Sequence, residues 1–249
     1  VDRKIRVGAV SYLNTKPLIY GLEKGMMKDD ILLEMDYPSN VAARLLEDSI
    51  DIGLVPVATI PRLKEYHFVS DYGIACNGRV SSVSIFSEVP IEEVSEILLD
   101  YQSRTSVRLA KILMREYWQV NPVITDTRED FRDRIKGTTA GVVIGDRALE
   151  QRLVSTYNYD LGETWKDFTG LPFVFAGWIS NKPISEEFIN RFNLVNEYGL
   201  QRLEEVIAQN PYEVYDLYEY YTRNIDYRLD EQKMKGLELY LDYLKRFGF

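Results

Sequence analysis

Four polar segments of this 249-residue chain carry side chains that could do chemistry, and each stands where a strand ends or a helix begins. Open α/β sheets present groups to ligands at such points. Ser103-Arg104-Thr105-Ser106 places three hydroxyls and a guanidinium ahead of a helical stripe of Val107, Ala110, Leu113, Met114 and Tyr117. The N–H groups and positive dipole end of such a helix favour a carboxylate or phosphate. Capping needs only one of these side chains. Ser11-Tyr12-Leu13-Asn14-Thr15-Lys16-Pro17-Leu18 has proline in a first helical turn, so Asn14 and Thr15 stand at a positive helix end. Capping accounts for Thr15, whereas Asn14 lies too far upstream for it. Gly78-Arg79-Val80-Ser81-Ser82-Val83-Ser84 carries hydroxyls into a strand read from Val80 to Phe86, with Ser82 and Ser84 on one face and Ser81 on the other. Solvated serines on an edge strand explain this segment equally well. In Ile144-Gly145-Asp146, glycine permits close backbone approach at a strand end, and Asp146 serves either a ligand or the cap of a helix containing Ala148 and Leu149.

Other chemistries recede. One cysteine, Cys76, makes no internal disulfide, and one histidine, His67, leaves too few ligands for zinc, so no metal or cofactor is expected and both residues are read as structural. No phosphate loop, dinucleotide fingerprint or nucleophile elbow occurs. A formal charge of −9 disfavours nucleic acid and anionic membrane surfaces as partners, so an anionic ligand must be held by a local pocket. Paired anion sites facing one another suit a small dicarboxylate, or an amino acid or oxyanion carried by a transport protein. Apolar runs are broken by charge every few residues, which excludes a helical membrane span, and the amino terminus enters a strand at Ile5 without an apolar signal core. The expectation is a cytoplasmic protein.

The elements that must position these segments alternate. Strand-like Ile5 to Val10, a helix near Lys16 to Glu23, Leu32 to Tyr37, a helix capped by Ser39, and Asp51 to Val57 form β-α-β units. A second set follows: Ile97 to Leu99, a helix from Thr105 to Trp118, Pro122 to Thr125, a helix near Glu129 to Ile135, and Ala140 to Gly145. A strand at Phe173 to Ile179 ends the strand-rich region. In the helical tail, Asn210-Pro211-Tyr212-Glu213 reads as a capping box, and Asp230 caps a last helix whose stripe is Met234, Leu237, Leu241, Leu244 and Phe247. Tyr215, Tyr218, Tyr220 and Tyr221 are read as packed rings with wet hydroxyls. The expected fold is α/β with two lobes: residues 1–83 begin lobe 1, residues 84–174 form lobe 2, and residues 175–249 return to lobe 1. Two crossings, near Val83 and Phe173, would leave a cleft between the lobes.

Taken together, these residues resemble the chorismate dehydratase family of the futalosine route to menaquinone. The matching blocks are residues 11–18 quoted above, Asp51-Ile52-Gly53-Leu54-Val55-Pro56, Ser103-Arg104-Thr105-Ser106-Val107, Val143-Ile144-Gly145-Asp146, Asp160-Leu161-Gly162-Glu163-Thr164-Trp165 and Thr169-Gly170-Leu171-Pro172-Phe173-Val174-Phe175-Ala176. They span most of the first 180 residues in family order, and one departure is Gly78-Arg79-Val80 where the family often has Gly-Pro-Val. The resemblance implies a type 2 periplasmic-binding-protein fold used by a cytoplasmic enzyme. The substrate would be chorismate, a dicarboxylate, dehydrated to 3-(1-carboxyvinyloxy)benzoate. Asn14, Ser82 and Asp146 are then the catalytic candidates. Ser11, Tyr12, Thr15, Ser81, Ser103, Arg104, Thr105, Ser106, Gly145 and Thr169 are the substrate-binding candidates. The base stays open between Asp146 and the substrate's own side-chain carboxylate. The rival readings are a solute-binding protein, the sibling enzyme that makes 1,4-dihydroxy-6-naphthoate, and a ligand-sensing effector domain.

Overall fold

The structure is a computed structural model describing residues 3–249. In chain order the elements are β1 (Ile5–Ala9), α1 (Lys16–Glu23), β2 (Ile31–Met35), α2 (Pro38–Leu46), β3 (Ile52–Pro56), β4 (His67–Cys76), β5 (Val83–Ser87), β6 (Glu96–Leu99), α3 (Thr105–Glu116), β7 (Val123–Asp126), β8 (Thr139–Ile144), α4 (Asp146–Gln151), β9 (Tyr157–Asp160), α5 (Leu161–Thr169), β10 (Phe173–Ser180), α6 (Glu186–Leu200), α7 (Leu203–Gln209), α8 (Leu217–Glu219), β11 (Asp226–Arg228) and α9 (Glu231–Phe247). The chain divides into unit 1, the described residues through Ala75 with Val174–Glu231, and unit 2, Cys76–Phe173 with Gln232–Phe249. The boundaries therefore fall near residues 75, 173 and 231, and the chain passes between units three times where the sequence suggested two crossings.

Unit 1 is built on a sheet of order β11-β4-β10-β3-β1-β2, in which β1 runs parallel to β2 and β3 while β10 runs antiparallel to β3. Every residue of β3 is buried, as expected for a strand covered on both faces. The amino ends of β1 and β3 are tied by Asp51. Its carboxylate accepts from Arg6 N at 2.8 Å, Arg6 Nη2 at 3.0 Å and Arg3 Nη2 at 2.8 Å, and Lys182 Nζ lies 2.9 Å away. Helix α1 packs on α6 so closely that a Cβ at Gly199 would lie 1.9 Å from the Pro17 carbonyl oxygen.

Unit 2 has a sheet of order β7-β6-β8-β5-β9, with β6 parallel to β7 and β8 and β5 antiparallel to β8 and β9. Its core includes Phe86, Leu98, Phe131, Ile135 and Val143. The final helix belongs here and not to the first lobe. Tyr240 packs against Trp165 and Phe173, its hydroxyl donates to the Thr105 carbonyl at 3.0 Å, and glycine at position 236 admits the Pro172 carbonyl. The buried face of α9 is Lys233, Gly236, Leu237, Tyr240, Tyr243 and Leu244, rotated from the expected aliphatic stripe because aromatic rings of unit 2 receive tyrosines.

Other local expectations are corrected. Ser39 lies inside the first turn of α2, which opens on Pro38 with Tyr37 at the cap position. Thr15 holds the cap position of α1 but makes no cap bond, because its hydroxyl donates back to Val10 O at 2.5 Å and Tyr12 O at 2.8 Å. Between Glu129 and Ile135 only a 3-10 turn forms, Arg132–Arg134, with Phe131 and Ile135 drawn into the core on either side. Asn210 starts no helix. Its amide donates to Val206 O at 2.8 Å and so closes α7, and Asp216 caps α8 instead. Of the four tail tyrosines, Tyr220 and Tyr221 are buried, Tyr218 is exposed, and the Tyr215 hydroxyl donates to Asn224 Oδ1 at 2.9 Å.

Two predictions follow from unit 1. Gly199→Ala must force α1 and α6 apart, and overpacking of this kind costs about 1–3 kcal/mol, read from denaturant midpoints. Burial on its own would push the Asp51 carboxyl up, yet hydrogen bonds from the Arg6 side chain and backbone and from Lys182 outweigh it and hold the group well below the ordinary carboxylate range. A carboxylate with a depressed folded-state pKa stabilises above its unfolded value of about 3.9, and that contribution is lost as the pH falls toward the folded value. Thermal melts of Asp51→Asn should start lower at neutral pH, by about 2–3 kcal/mol for lost charge-assisted bonds, and decline less than wild type between about pH 5 and pH 2.

Candidate functional site

Strand register gathers the polar segments of unit 2 at one sheet edge. Parallel β6 and β8 both end there, at Leu99 and Ile144, and antiparallel β5 begins there because Val83 pairs with Ile144. Strand β9 ends there too, with Asp160 opposite Ser84. The 80–82 turn, the start of α3 and Gly145-Asp146 therefore share an edge, as the strand-end reading requires.

Ser81 and Ser82 do not lie on a strand. They form a buried turn before β5 in which Ser82 N donates to Val80 O at 2.8 Å and Ser81 takes a φ of 65°, a left-handed conformation that costs a non-glycine residue energy. The expected alternation of Ser81 with Ser82 therefore does not apply. Ser84 is on β5, fully buried, and its hydroxyl has no hydrogen-bond partner among the described residues. Arg79 is exposed beside this buried turn.

Asp160 holds the turn from the other side. Oδ1 accepts from Val80 N at 3.1 Å, Gly162 N at 3.0 Å and Glu163 N at 3.0 Å, and Oδ2 accepts from Ser81 N at 2.7 Å. Burial pushes this carboxyl up, and the N–H donors pull against that shift. The Ser82 carbonyl in turn accepts from Gly145 N at 2.8 Å. Gly145 has φ 66° and ψ −148°, a region open essentially to glycine alone, which turns the chain from β8 into α4. Asp146 is the first residue of α4.

At the start of α3, Ser103 Oγ accepts from Ser106 N at 3.0 Å, so the cap function falls to Ser103. Thr105 and Ser106 are buried. Asp100, just upstream, ties this start to the end of β8. It accepts from Gln102 N at 2.9 Å, from Ile144 N at 3.2 Å and from Arg147 Nη2 at 2.8 Å. Burial pushes the Asp100 carboxyl up against the opposing pull of Arg147. Arg147 Nη1 is buried with no partner among the described residues. Thr169 lies apart from these groups, at the end of α5, where its hydroxyl donates to Trp165 O at 2.8 Å and accepts from Leu171 N at 3.1 Å.

Unit 1 carries the remaining candidates at the carboxyl edge of β1 and β2. Ser11 Oγ accepts from Lys16 Nζ at 3.0 Å, and residues 13–15 form a 3-10 turn leading into α1. Asn14 is fixed through its main chain, whose carbonyl accepts from the buried Tyr227 hydroxyl at 2.8 Å, while its side-chain Oδ1 is buried without a partner among the described residues. In the same unit, Ser11, Tyr12, Met35, Asp36 and Tyr37 line a hollow of about 400 Å³, which Asn14 does not line. Buried polar atoms without partners are uncommon, and such groups mark places where a ligand can complete the hydrogen bonding.

Asp160, Asp100, Arg147 and Tyr227 are absent from the sequence-derived candidates. Asp160 followed by Glu163 is a helix-start signal in the sequence, but its grip on residues 80 and 81 spans too long a separation for any local pattern. Among the described residues no group of three or more His, Cys, Asp or Glu could hold a metal ion, and no helix is long and apolar enough to cross a membrane.

Comparison with known proteins agrees with this architecture. A periplasmic aliphatic sulphonate binding protein from Escherichia coli superposes with a TM-score of 0.63 at 12% identity, covering 100% of this chain and 94% of that one. A structure from Archaeoglobus fulgidus superposes with a TM-score of 0.77 at 14% identity, covering 98% of each chain. The fold is thus the α/β, two-lobed fold of periplasmic binding proteins. In sequence the chain is 26% identical over 223 residues to a chorismate dehydratase of Thermus thermophilus, covering 78% of this chain and 80% of that protein. It is 28% identical over 192 residues to a chorismate dehydratase of Campylobacter jejuni, covering 74% and 72%. A family model described as menaquinone biosynthesis matches residues 5–246, and the chain belongs to that family.

Proposed function

We propose that this chain is a chorismate dehydratase, a hydro-lyase that converts chorismate to 3-(1-carboxyvinyloxy)benzoate and water in menaquinone biosynthesis. The observation that carries the reading is the gathering of hydroxyl-bearing turns and a helix start at one sheet edge of unit 2, in a chain whose curated relatives bear that activity's name. The reaction is redox-neutral. A C–H bond breaks at the ring carbon bearing the enol ether, the C–O bond of the neighbouring hydroxyl breaks, and the proton and hydroxide leave as water while the ring becomes aromatic.

Removing the ring proton drives an electron pair through the diene toward the ring carboxylate, so donors on that carboxylate stabilise the charge as it grows. The start of α3 is suited to this role, with its N–H groups, Thr105, Ser106 and the Arg104 guanidinium. Each hydrogen bond to a charged group is worth about 1.5–3 kcal/mol. Ser82 and Asn14 are assigned to the departing hydroxyl and the enolpyruvyl group. The orphaned Asn14 Oδ1 supports a positioning role, because it can accept a hydrogen bond from a substrate hydroxyl and so orient it. The base is Asp146 or the substrate's own side-chain carboxylate, and the two differ in whether Asp146→Asn abolishes turnover.

Incubation with chorismate should produce a new aromatic absorbance and a mass loss of one water; binding without turnover would favour a solute-binding protein. Ser82→Ala should lower kcat by about 10²–10³-fold, the range for losing one positioned donor. Asn14→Asp places a like charge beside a dianion and should cut turnover at least as strongly. An unchanged rate in either variant removes that residue from the site.

A further inference from the structure

We infer that Asp160 is a positioning residue for this reaction: its buried carboxylate holds the strained 80–82 turn in the one geometry that aims the Ser82 hydroxyl. The inference rests on the role assigned to Ser82. Asp160 is described fully by a simple helix cap only if its bonds stay within α5, and they do not. Two of its four N–H donors, Gly162 and Glu163, belong to the helix start, whereas Val80 and Ser81 come from a segment about eighty positions earlier. The shortest of the four, 2.7 Å, is to Ser81 N, the residue with a φ of 65°. A serine in that conformation persists only when its surroundings over-determine it.

The surroundings do so from three directions. Asp160 takes the N–H groups of residues 80 and 81, Gly145 N holds the Ser82 carbonyl at 2.8 Å, and the start of α5 presses on the preceding segment. At Gly162 there is no room for a Cβ, which would lie 2.6 Å from Gly78 O and 2.5 Å from Cys76 Sγ. Ser82 itself is 1% exposed, so its side chain has little freedom once the turn is fixed.

Asp160→Asn tests this without a change of size. Asparagine caps helices as well as aspartate does, so its oxygen can keep the helix-start bonds while the amide group meets the Ser81 N–H donor to donor. Purified wild type, D160N, S82A and the double variant are compared for kcat and KM on chorismate, for melting temperature, and for amide exchange at residues 80–82. D160N should lower kcat by about 10–100-fold, the scale of a 1 Å misplacement, with KM within about threefold and with faster exchange at Ser81 and Ser82. In the S82A background the same substitution should change kcat by less than about twofold, because the hydroxyl it positions is already gone.

Independent, multiplicative losses in the double variant would overturn the inference, as would a D160N kcat within about twofold of wild type. Should D160N fail to fold, Gly162→Ala displaces the same contact from the helix side and must give the same split of kcat from KM; a wild-type kcat there also overturns it. A wild-type protein inert toward chorismate sinks the proposed function, and amide exchange then still decides the clamp, which unchanged protection at Ser81 in D160N refutes.

Discussion

A buried carboxylate that accepts from four main-chain N–H groups is the constraint on which the polar edge of unit 2 depends. Such a group is expensive to desolvate, and it is tolerated because both of its oxygens accept main-chain hydrogen bonds. Asp160 meets that condition by joining two segments that strand pairing alone leaves unconnected at their ends. Asp100 does the same for the ends of β6 and β8, with Arg147 supplying the opposing charge. Buried aspartates thus take over, at the sheet edge, the backbone satisfaction that strand ladders provide inside the sheet.

Under the proposed function, this arrangement accounts physically for chemistry on a fold shared with binding proteins. N–H groups at helix starts favour bound anions, and the same donors stabilise charge that develops during a reaction, provided they are fixed before it develops. What separates the two uses is rigidity and the placement of a few hydroxyls and amides. In unit 2 the placement is set by a serine held at positive φ; in unit 1 it is set by Tyr227, which fixes the Asn14 main chain and leaves the amide oxygen unused.

Much of this was legible in the sequence because it is local. The β-α-β order of residues 5–56 follows from apolar runs and a proline-marked helix start, and the start of α3 from clustered hydroxyls ahead of an apolar stripe. The rest was hidden for physical reasons. Nothing in Val80-Ser81-Ser82 announces a left-handed serine, since propensity favours glycine there. Asp160 reads as a cap, and the partners that make it more than one are remote in sequence. The stripe of the last helix marks a buried face but not its neighbour, and it is Tyr240 and Tyr243, packed on Trp165, that tie this helix to unit 2. Asn210 closes α7 where its sequence context predicts a helix start, because a side chain that closes one helix looks the same, in sequence, as one that opens the next.

The central claim is that these hydroxyl-bearing turns grip a dicarboxylate. The most direct measurement is a crystal structure of the protein with 3-(1-carboxyvinyloxy)benzoate bound. The account predicts a carboxylate of that molecule at the start of α3, within hydrogen-bond distance of the Ser106 hydroxyl or the Arg104 guanidinium, with the Ser82 hydroxyl in contact with the ligand. A ligand lying elsewhere, with the 80–82 turn and the start of α3 untouched, would contradict it.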